Sequence, residues 1–347
     1  MQAVIPQFES SVAVVIPCYK VRSHVLDVIA AIGPEVTRIY AVDDACPDQS
    51  GTLIEEECSD PRVTVLRHQE NKGVGGAVMT GYRAAVADGA EVIVKLDGDG
   101  QMDPGLLLTI ARPVLEGWAD YAKGNRFYSV WFVRKMPRAR LWGNAGLSFL
   151  TKLSSGYWSV FDPTNGYTAI HRTAIERLEF ANISERYFFE TDMLINLGNV
   201  RAVVADVPMK AVYGDEVSSL HAGRELVSFF GKHVKEIFKR ILYTYFMRDF
   251  SLVSIELFFG LIMLLFGIGF GGWHWYLSLS TGVVASTGTV MVAVLPIILG
   301  FQLILNFLAY DMANEPDRPL QPTGSIAHAG QRIAVMREER SPGSKQA

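Results

Sequence analysis

Glu91-Val92-Ile93-Val94-Lys95-Leu96-Asp97-Gly98-Asp99-Gly100-Gln101-Met102-Asp103-Pro104 is the stretch on which the fold of this 347-residue chain turns. Residues 91–96 form a short β-branched, apolar run bounded by glycine and proline signals, which reads as a strand. The run ends in two carboxylates spaced by one residue, followed by a glycine and an amide. Strand side chains alternate, so Asp97 and Asp99 point the same way. Two hard oxygen donors at a strand end, with Gln101 beside them, suit Mg²⁺ or Mn²⁺ that also holds a diphosphate. An Asp-x-Asp by itself is common and often a solvated turn. This one terminates an apolar strand, which favours metal binding.

Upstream, residues 12–16, 38–42 and 63–66 read as further strands, and 25–32, 51–58 and 75–87 as helices. Such alternation predicts an α/β domain, a Rossmann-like, mostly parallel sheet with helices on both faces. Ligands of such sheets bind beyond the C-terminal strand ends, and three more features fall there. Pro17-Cys18-Tyr19 ends the first strand in a turn whose backbone would lie against a nucleoside. Val42-Asp43-Asp44 ends the second. Asp44 is expected to accept from a base N–H or a ribose hydroxyl, whereas Asp48 reads as a helix N-cap. In Asn71-Lys72-Gly73-Val74-Gly75-Gly76-Ala77, glycines precede a helix. A dinucleotide fingerprint fails because Val78 holds its third glycine position, but a helix N-terminus could still face a phosphate or ribose.

Apolar residues make up 49% and charged ones 20%, and the apolar excess collects between about 251 and 310. A formal net charge of −4 gives no reason to expect a nucleic-acid partner. Cys18, Cys46 and Cys58 have neither CxxC spacing nor a matching His set, so reduced thiols are expected rather than a zinc site or disulfide framework. The N-terminus has no basic segment followed by an apolar one, so the bulk of the chain is expected to stay in the cytoplasm.

Residues 221–248 place Leu226, Phe229, Phe230, Val234, Ile237, Phe238, Ile241, Leu242 and Tyr245 at helical spacing, with lysines and arginines on the remaining faces. A basic amphipathic helix just before an apolar span reads as interfacial; packing on the domain is the alternative. Residues 252–270, with Glu256 as the only charge, and 283–310, with Pro296 inside, are each long enough to cross a hydrocarbon core of ~30 Å. The linker 271–282 has Trp273 and Trp275 but no Lys or Arg, and basic residues crowd the outer flanks. The positive-inside rule then predicts a two-span hairpin with both termini cytoplasmic. Gln302 and Asn306, one turn apart, are expected to glue helices together. The expected organisation is a catalytic domain at 1–220, interfacial helix at 221–250, spans at 251–310 and a partly disordered tail at 311–347. Two such helices bury little on their own, so this reading allows a homo-oligomer through the hairpin.

The four strand-end features, in this order and spacing, resemble the GT-A fold of family 2 glycosyltransferases. Lys123-Gly124-Asn125-Arg126, Phe161-Asp162-Pro163-Thr164-Asn165-Gly166-Tyr167 and Tyr187-Phe188-Phe189-Glu190-Thr191-Asp192-Met193 follow the order of polyprenyl-phosphate (dolichyl- and undecaprenyl-phosphate) sugar synthases. The resemblance covers roughly residues 12–310 and implies transfer of a sugar from a nucleotide-sugar to a polyprenyl phosphate. It implies that Pro17, Tyr19, Asp44, Lys72 and Gly73 hold the nucleotide, and that Asp97, Asp99 and Gln101 hold metal and diphosphate. Asp162 and Thr164, Asn165 and Gly166 would line the sugar and reacting centre. Arg126, with Arg138, Arg140 and Asn144, would receive the lipid phosphate. A solvated surface turn is the alternative for the basic loop at 134–140.

Three positions depart from the family pattern. Lys20-Val21 replaces an Asn and an acidic residue, the loop at 212–219 has no basic residue, and Glu190-Thr191-Asp192 replaces Gln-x-Glu. Two other readings compete. A processive polysaccharide synthase would carry a Gln-x-x-Arg-Trp segment, which is absent, and a non-catalytic membrane scaffold would have no need of Asp97, Asp99 and Gln101.

Overall fold

The computed structural model describes residues 11–128, 138–209 and 222–322; the side chains of 138–142, 144 and 222–228 lie outside that description. Strands β1 (Val12–Cys18), β2 (Arg38–Asp43), β3 (Val63–Arg67) and β4 (Val92–Lys95) alternate with helices α1 (Val25–Ala30), α2 (Ser50–Glu57) and α3 (Val74–Ala87). All four strands are parallel, with β1 between β2 and β4 and β3 outside β2. Strand β1 is apolar on both faces because both are covered. Val12, Val14 and Ile16 enter one core, and Ala13 and Val15 enter the other.

The second half of the sheet departs from parallel. After α4 (Leu107–Leu115), β5 (Tyr121–Asn125) and α5 (Arg138–Ser155), strand β6 (Thr168–His171) inserts antiparallel between β4 and β5. Helices α6 (Arg172–Arg177) and α7 (Phe189–Asn199) then lead to β7 (Val204–Pro208), parallel to β5. The strand order is β3-β2-β1-β4-β6-β5-β7. Lys95 lies opposite Thr168, so the residues just before β6 face those just after β4.

The amphipathic segment becomes helix α8 (Ala222–Ile241) and a π-helical turn (Leu242–Arg248). It packs on the domain and also keeps an apolar ridge outside. His233 is fully buried, bonded to Ser154, and its ring lies edge-on to Phe188. Burial pushes its pKa down to about 4, so the ring is neutral. Phe230 and Phe238, by contrast, are 57% and 71% exposed, with Lys235 and Lys239 exposed near them.

Helices α9 (Leu252–Thr281) and α10 (Thr287–Ala313) have 30 and 27 residues and mostly exposed apolar surfaces. At 1.5 Å per residue each exceeds the ~30 Å core of a bilayer. The expected linker at 271–282 is instead helical to Thr281. Glycine in a helix costs only about 1 kcal/mol, too little for Gly271 and Gly272 to stop it. The helix ends where Gly282 takes a left-handed conformation, φ 70°. The two helices meet closely at Gly260 and Gly300; a Cβ on Gly300 would stand 2.7 Å from the Gly260 carbonyl oxygen. Gln302 and Asn306 bond weakly to each other at 3.4 Å on an exposed face and do not join α9 to α10.

A buried polar junction fastens this hairpin to the domain. Asp311 accepts both terminal nitrogens of Arg240 at 2.8 and 2.9 Å, the Trp158 indole at 2.9 Å, and the Tyr245 hydroxyl. Arg240 also donates to the Leu153 carbonyl at the end of α5. Beyond α10, the backbone N–H groups of Leu320 and Gln321 donate to buried Asp120, ahead of β5. Removing one partner of a buried pair strands the other charge, at about 3–5 kcal/mol. Asp311→Ala should therefore lower the thermal unfolding midpoint in detergent by several degrees, whereas Asp249→Ala, at an exposed pair, should leave it within about a degree.

Candidate active site

The strand-end carboxylates are organised by a buried lysine. Lys95 points to the same side of β4 as Asp97, is 1% exposed, and sets its ammonium 2.8 Å from Asp97 and 3.6 Å from Glu190 on α7. Burial alone would depress such a lysine, but the two carboxylates outweigh it and hold the ammonium above its ordinary pKa. Gly166 lies across from Asp97. A Cβ there would crowd Lys95 Nζ and stand 2.9 Å from Asp97 Oδ2, so glycine lets the loop before β6 close on this pair undisturbed. Asp97 keeps 28% of its side chain exposed, and Asp99 two residues on accepts the Gln101 N–H at 3.0 Å.

The second layer comes from β5 and the loop leading to β6. Lys123 is fully buried and donates to the Asn165 carbonyl. Burial pushes its pKa down to about 8, against the pull of Glu190 and Asp162. Asn165 is also buried, donating to the Gly124 carbonyl at 2.7 Å and accepting from Tyr167 N–H at 3.0 Å. Arg126 and Asp162, expected at lipid phosphate and sugar respectively, are bound to each other. The guanidinium donates to both Asp162 oxygens, at 2.8 and 3.0 Å, and to Thr164 at 3.3 Å. Asp162 is fully buried and Arg126 about a third exposed, so in this arrangement the carboxylate orients the arginine. Asn125 donates to Asp206 on β7, whose carboxyl burial raises to about 6.

The nucleoside side shows two tightly held carboxylates. Asp43 accepts from Cys46 N–H at 2.8 Å and Gly51 N–H at 3.0 Å, so it caps α2. Asp48 was expected there, but the residue before α2 is Gln49, which has no side-chain cap. Asp44 is 2% exposed and holds the turn before α3, accepting from Lys72 N–H at 2.9 Å and Gly73 N–H at 2.7 Å. His68 bridges the same carboxylate to Thr80. The start of α3 is not open to a phosphate. Its Gly75 and Gly76 N–H groups donate to the Glu185 carbonyl, and Gly73, at φ 88°, admits that backbone where a Cβ would meet it at 2.6 Å. Tyr19 is 45% exposed at the end of β1, following Pro17.

The structure thus brings Asp97, Asp99, Gln101 and Gly166 together, with Arg126, Asp162, Thr164 and Asn165 on the neighbouring strand end. Arg138, Arg140 and Asn144 fall on α5, not in a loop, and their side chains lie outside the described residues, as does the loop at 212–219. Lys95, Lys123 and His68 carry no role in the sequence reading. A lysine inside an otherwise apolar strand, as at 95 and 123, was the available signal, because an unpaired one is almost never buried. Among the described residues no three His, Cys, Asp or Glu side chains converge. Two carboxylates at an accessible strand end fit a divalent cation completed by substrate phosphate and water, not a closed structural ion site.

The chain is similar to known proteins in family and in fold. The model of the family described as Glycosyl transferase family 2 matches residues 13–179. A UDP-N-acetylglucosamine–dolichyl-phosphate N-acetylglucosaminyltransferase of Methanococcus voltae is 28% identical over 242 residues, 66% of this chain and 93% of that protein. An undecaprenyl-phosphate mannosyltransferase of Micrococcus luteus is 28% identical over 176 residues, 50% of this chain and 71% of that protein. Glucosyl-3-phosphoglycerate synthase from Mycobacterium tuberculosis, solved with Mn²⁺ and UDP, is similar in fold with a TM-score of 0.51. It is 17% identical, over 67% of this chain and 80% of that one.

Two outcomes follow from the packing. Gly166→Ala should force Lys95 and Asp97 apart and lower turnover about a hundredfold at unchanged helical content, measured by transfer assay and circular dichroism. The buried Asp206 carboxyl, raised from 3.8 to about 6, keeps its proton longer folded than unfolded. Its contribution to stability is fully present below pH 3.8 and lost as pH rises to about 6. In Asp206→Asn, the unfolding midpoint should therefore fall less than in the parent between pH 4 and pH 6.5.

Proposed function

We propose that this chain, which matches the glycosyl transferase family 2 model over residues 13–179, is a glycosyltransferase that transfers one sugar from a nucleotide-sugar to a polyprenyl phosphate. The observation that carries the acceptor class is the buried Arg240–Asp311 junction. It fastens two apolar helices of membrane-spanning length to the domain that bears Asp97 and Asp99. A long isoprenoid acceptor stays in the bilayer, so an enzyme tethered there meets its phosphate without extracting the lipid. The names of the two relatives support the same class. The catalytic domain would lie on the cytoplasmic side, where the basic flanks of the hairpin point and where nucleotide-sugars are made.

In the proposed reaction an acceptor phosphate oxygen attacks the anomeric carbon from the face opposite the leaving group. A carbon–oxygen bond forms, the bond to the nucleoside diphosphate breaks with its electron pair, and the configuration inverts. The acceptor phosphate is already ionised near neutral pH, so no strong general base is required. The harder task is to bring two anions together. Asp97 and Asp99, with Gln101 beside them, would hold Mg²⁺ or Mn²⁺, which when bound screens the diphosphate charge. Lys95 holds Asp97 in place from behind. Arg126, aimed by Asp162, offers a guanidinium to an incoming phosphate. Exposed Tyr19 and the turn held by Asp44 at Lys72 and Gly73 would border the nucleoside.

The test is transfer of radiolabelled sugars from a panel of UDP- and GDP-sugars to undecaprenyl phosphate in detergent with Mg²⁺ or Mn²⁺. A lipid-linked product that disappears with EDTA and in Asp99→Ala is the expected result. Nucleotide-sugar binding without any lipid product would sink the acceptor class.

A further inference from the structure

Where the hairpin joins the domain, a polar recess opens that the transfer reaction does not use. The recess itself holds about 30 Å³, room for a small polar group, and it widens into open solvent. Arg201, Arg240, Arg248, Thr244, Asp311 and Asn314 line it, together with backbone from the ends of α5 and α7. Three guanidinium groups therefore face one carboxylate. Asp311 is committed to Arg240 by a two-pronged ion pair and Arg248 donates to Asp249, leaving Arg201 as the lining cation with no carboxylate partner among the described residues. Two further carboxylates stand beside the recess: Asp249 pairs with Arg248 but is half exposed, where water weakens it, and Glu315 accepts from the Ser159 N–H at 2.6 Å. Arg201 occupies a left-handed backbone position, φ 56°, immediately after the C-cap of α7. Glycine is usual at such a position; here a long cationic side chain stands despite the strain.

The level of the recess narrows the ligand. Arg248 is three residues before Ser251, the N-cap of α9, while Asp311 and Asn314 belong to the last turn and C-cap of α10. If the two helices span a bilayer, this is the depth of the lipid head groups. Tyr243, Met247, Phe250 and Leu252, on the same stretch as Arg248, are between 45% and 72% exposed and would lie in the acyl region beside it. Guanidinium forks match phosphate oxygens, and basic pockets at the ends of membrane helices hold phosphate head groups. We propose that this recess binds the phosphate of one anionic membrane phospholipid, at a site distinct from the acceptor site and separate from the Asp97–Asp99 end of the sheet. The inference rests on the membrane placement of the hairpin and not on the sugar chemistry.

The test uses the full chain in a neutral detergent and measures retention of radiolabelled phosphatidylglycerol on gel filtration. Saturable binding near one lipid per chain is expected, with no competition from phosphatidylcholine or millimolar inorganic phosphate. Arg201→Gln combined with Arg248→Gln should weaken it at least tenfold, and Arg201→Lys alone should retain most of it. Lys235→Gln with Lys239→Gln, on the exposed side of α8, should leave it unchanged. Equal binding by the double arginine variant, equal loss in the lysine variant, or competition by phosphatidylcholine would each overturn the site. Displacement by inorganic phosphate would reassign it to a free anion, and stoichiometric displacement by undecaprenyl phosphate to the acceptor. If the double variant does not fold, Arg201→Gln alone must still weaken binding, or the proposal fails. A chain that stays monodisperse without detergent would instead remove the membrane premise, and none of these readouts depends on sugar transfer.

Discussion

A single buried ammonium, that of Lys95, sets the arrangement of the acidic strand end. Without it the carboxylates of Asp97 and Glu190 would converge with no cation between them. With it, Asp97 is held at the rim while remaining partly open to solvent, and α7 is drawn to the end of β4. Gly166 completes the arrangement by leaving the space that the lysine fills. The carboxylate that would meet a cation is thus placed before any ligand arrives, which is the condition for electrostatic stabilisation at low reorganisation cost.

The same logic recurs around the site. Asp162 aims Arg126, Lys123 and Gly124 hold the Asn165 loop, and Asp44 shapes the turn at Lys72 and Gly73. Buried charged groups here spend their hydrogen bonds on neighbouring protein groups and leave the partly exposed ones to face a ligand. Adjacent residues can divide these tasks. Asp43 and Asp44 are next to each other, yet one caps α2 and the other organises the start of α3.

The hairpin is joined to this machinery by polar contacts as well as by chain connectivity. Arg240 and Asp311 stand 71 residues apart and bracket both apolar helices, while Asp120 secures the chain after α10. A hairpin held only by a flexible link would let the domain tumble. Fastening both of its ends to α5 and β5 gives the strand ends a defined attitude to the two apolar helices. Helix α8 shares in this, burying His233 on one side while keeping Phe230 and Phe238 outside.

The amino-acid sequence by itself determined what depends on neighbours along the chain. The β-branched runs, the intervening helices, the acidic end of β4 and the two apolar spans were legible because periodicity and composition act over a few residues. Even the lysine at 95 could have been noticed, as a charge in an apolar strand. What only the tertiary structure decided is which distant residues meet. The antiparallel insertion of β6 brings Gly166 against Asp97, a pairing that no local pattern encodes in a chain otherwise built of parallel units. It likewise took the fold to join Arg126 to Asp162, and to close the start of α3 with the carbonyl of Glu185. These contacts are selected by burial and charge pairing across the sheet, and those forces act on a surface that exists only once the chain has folded.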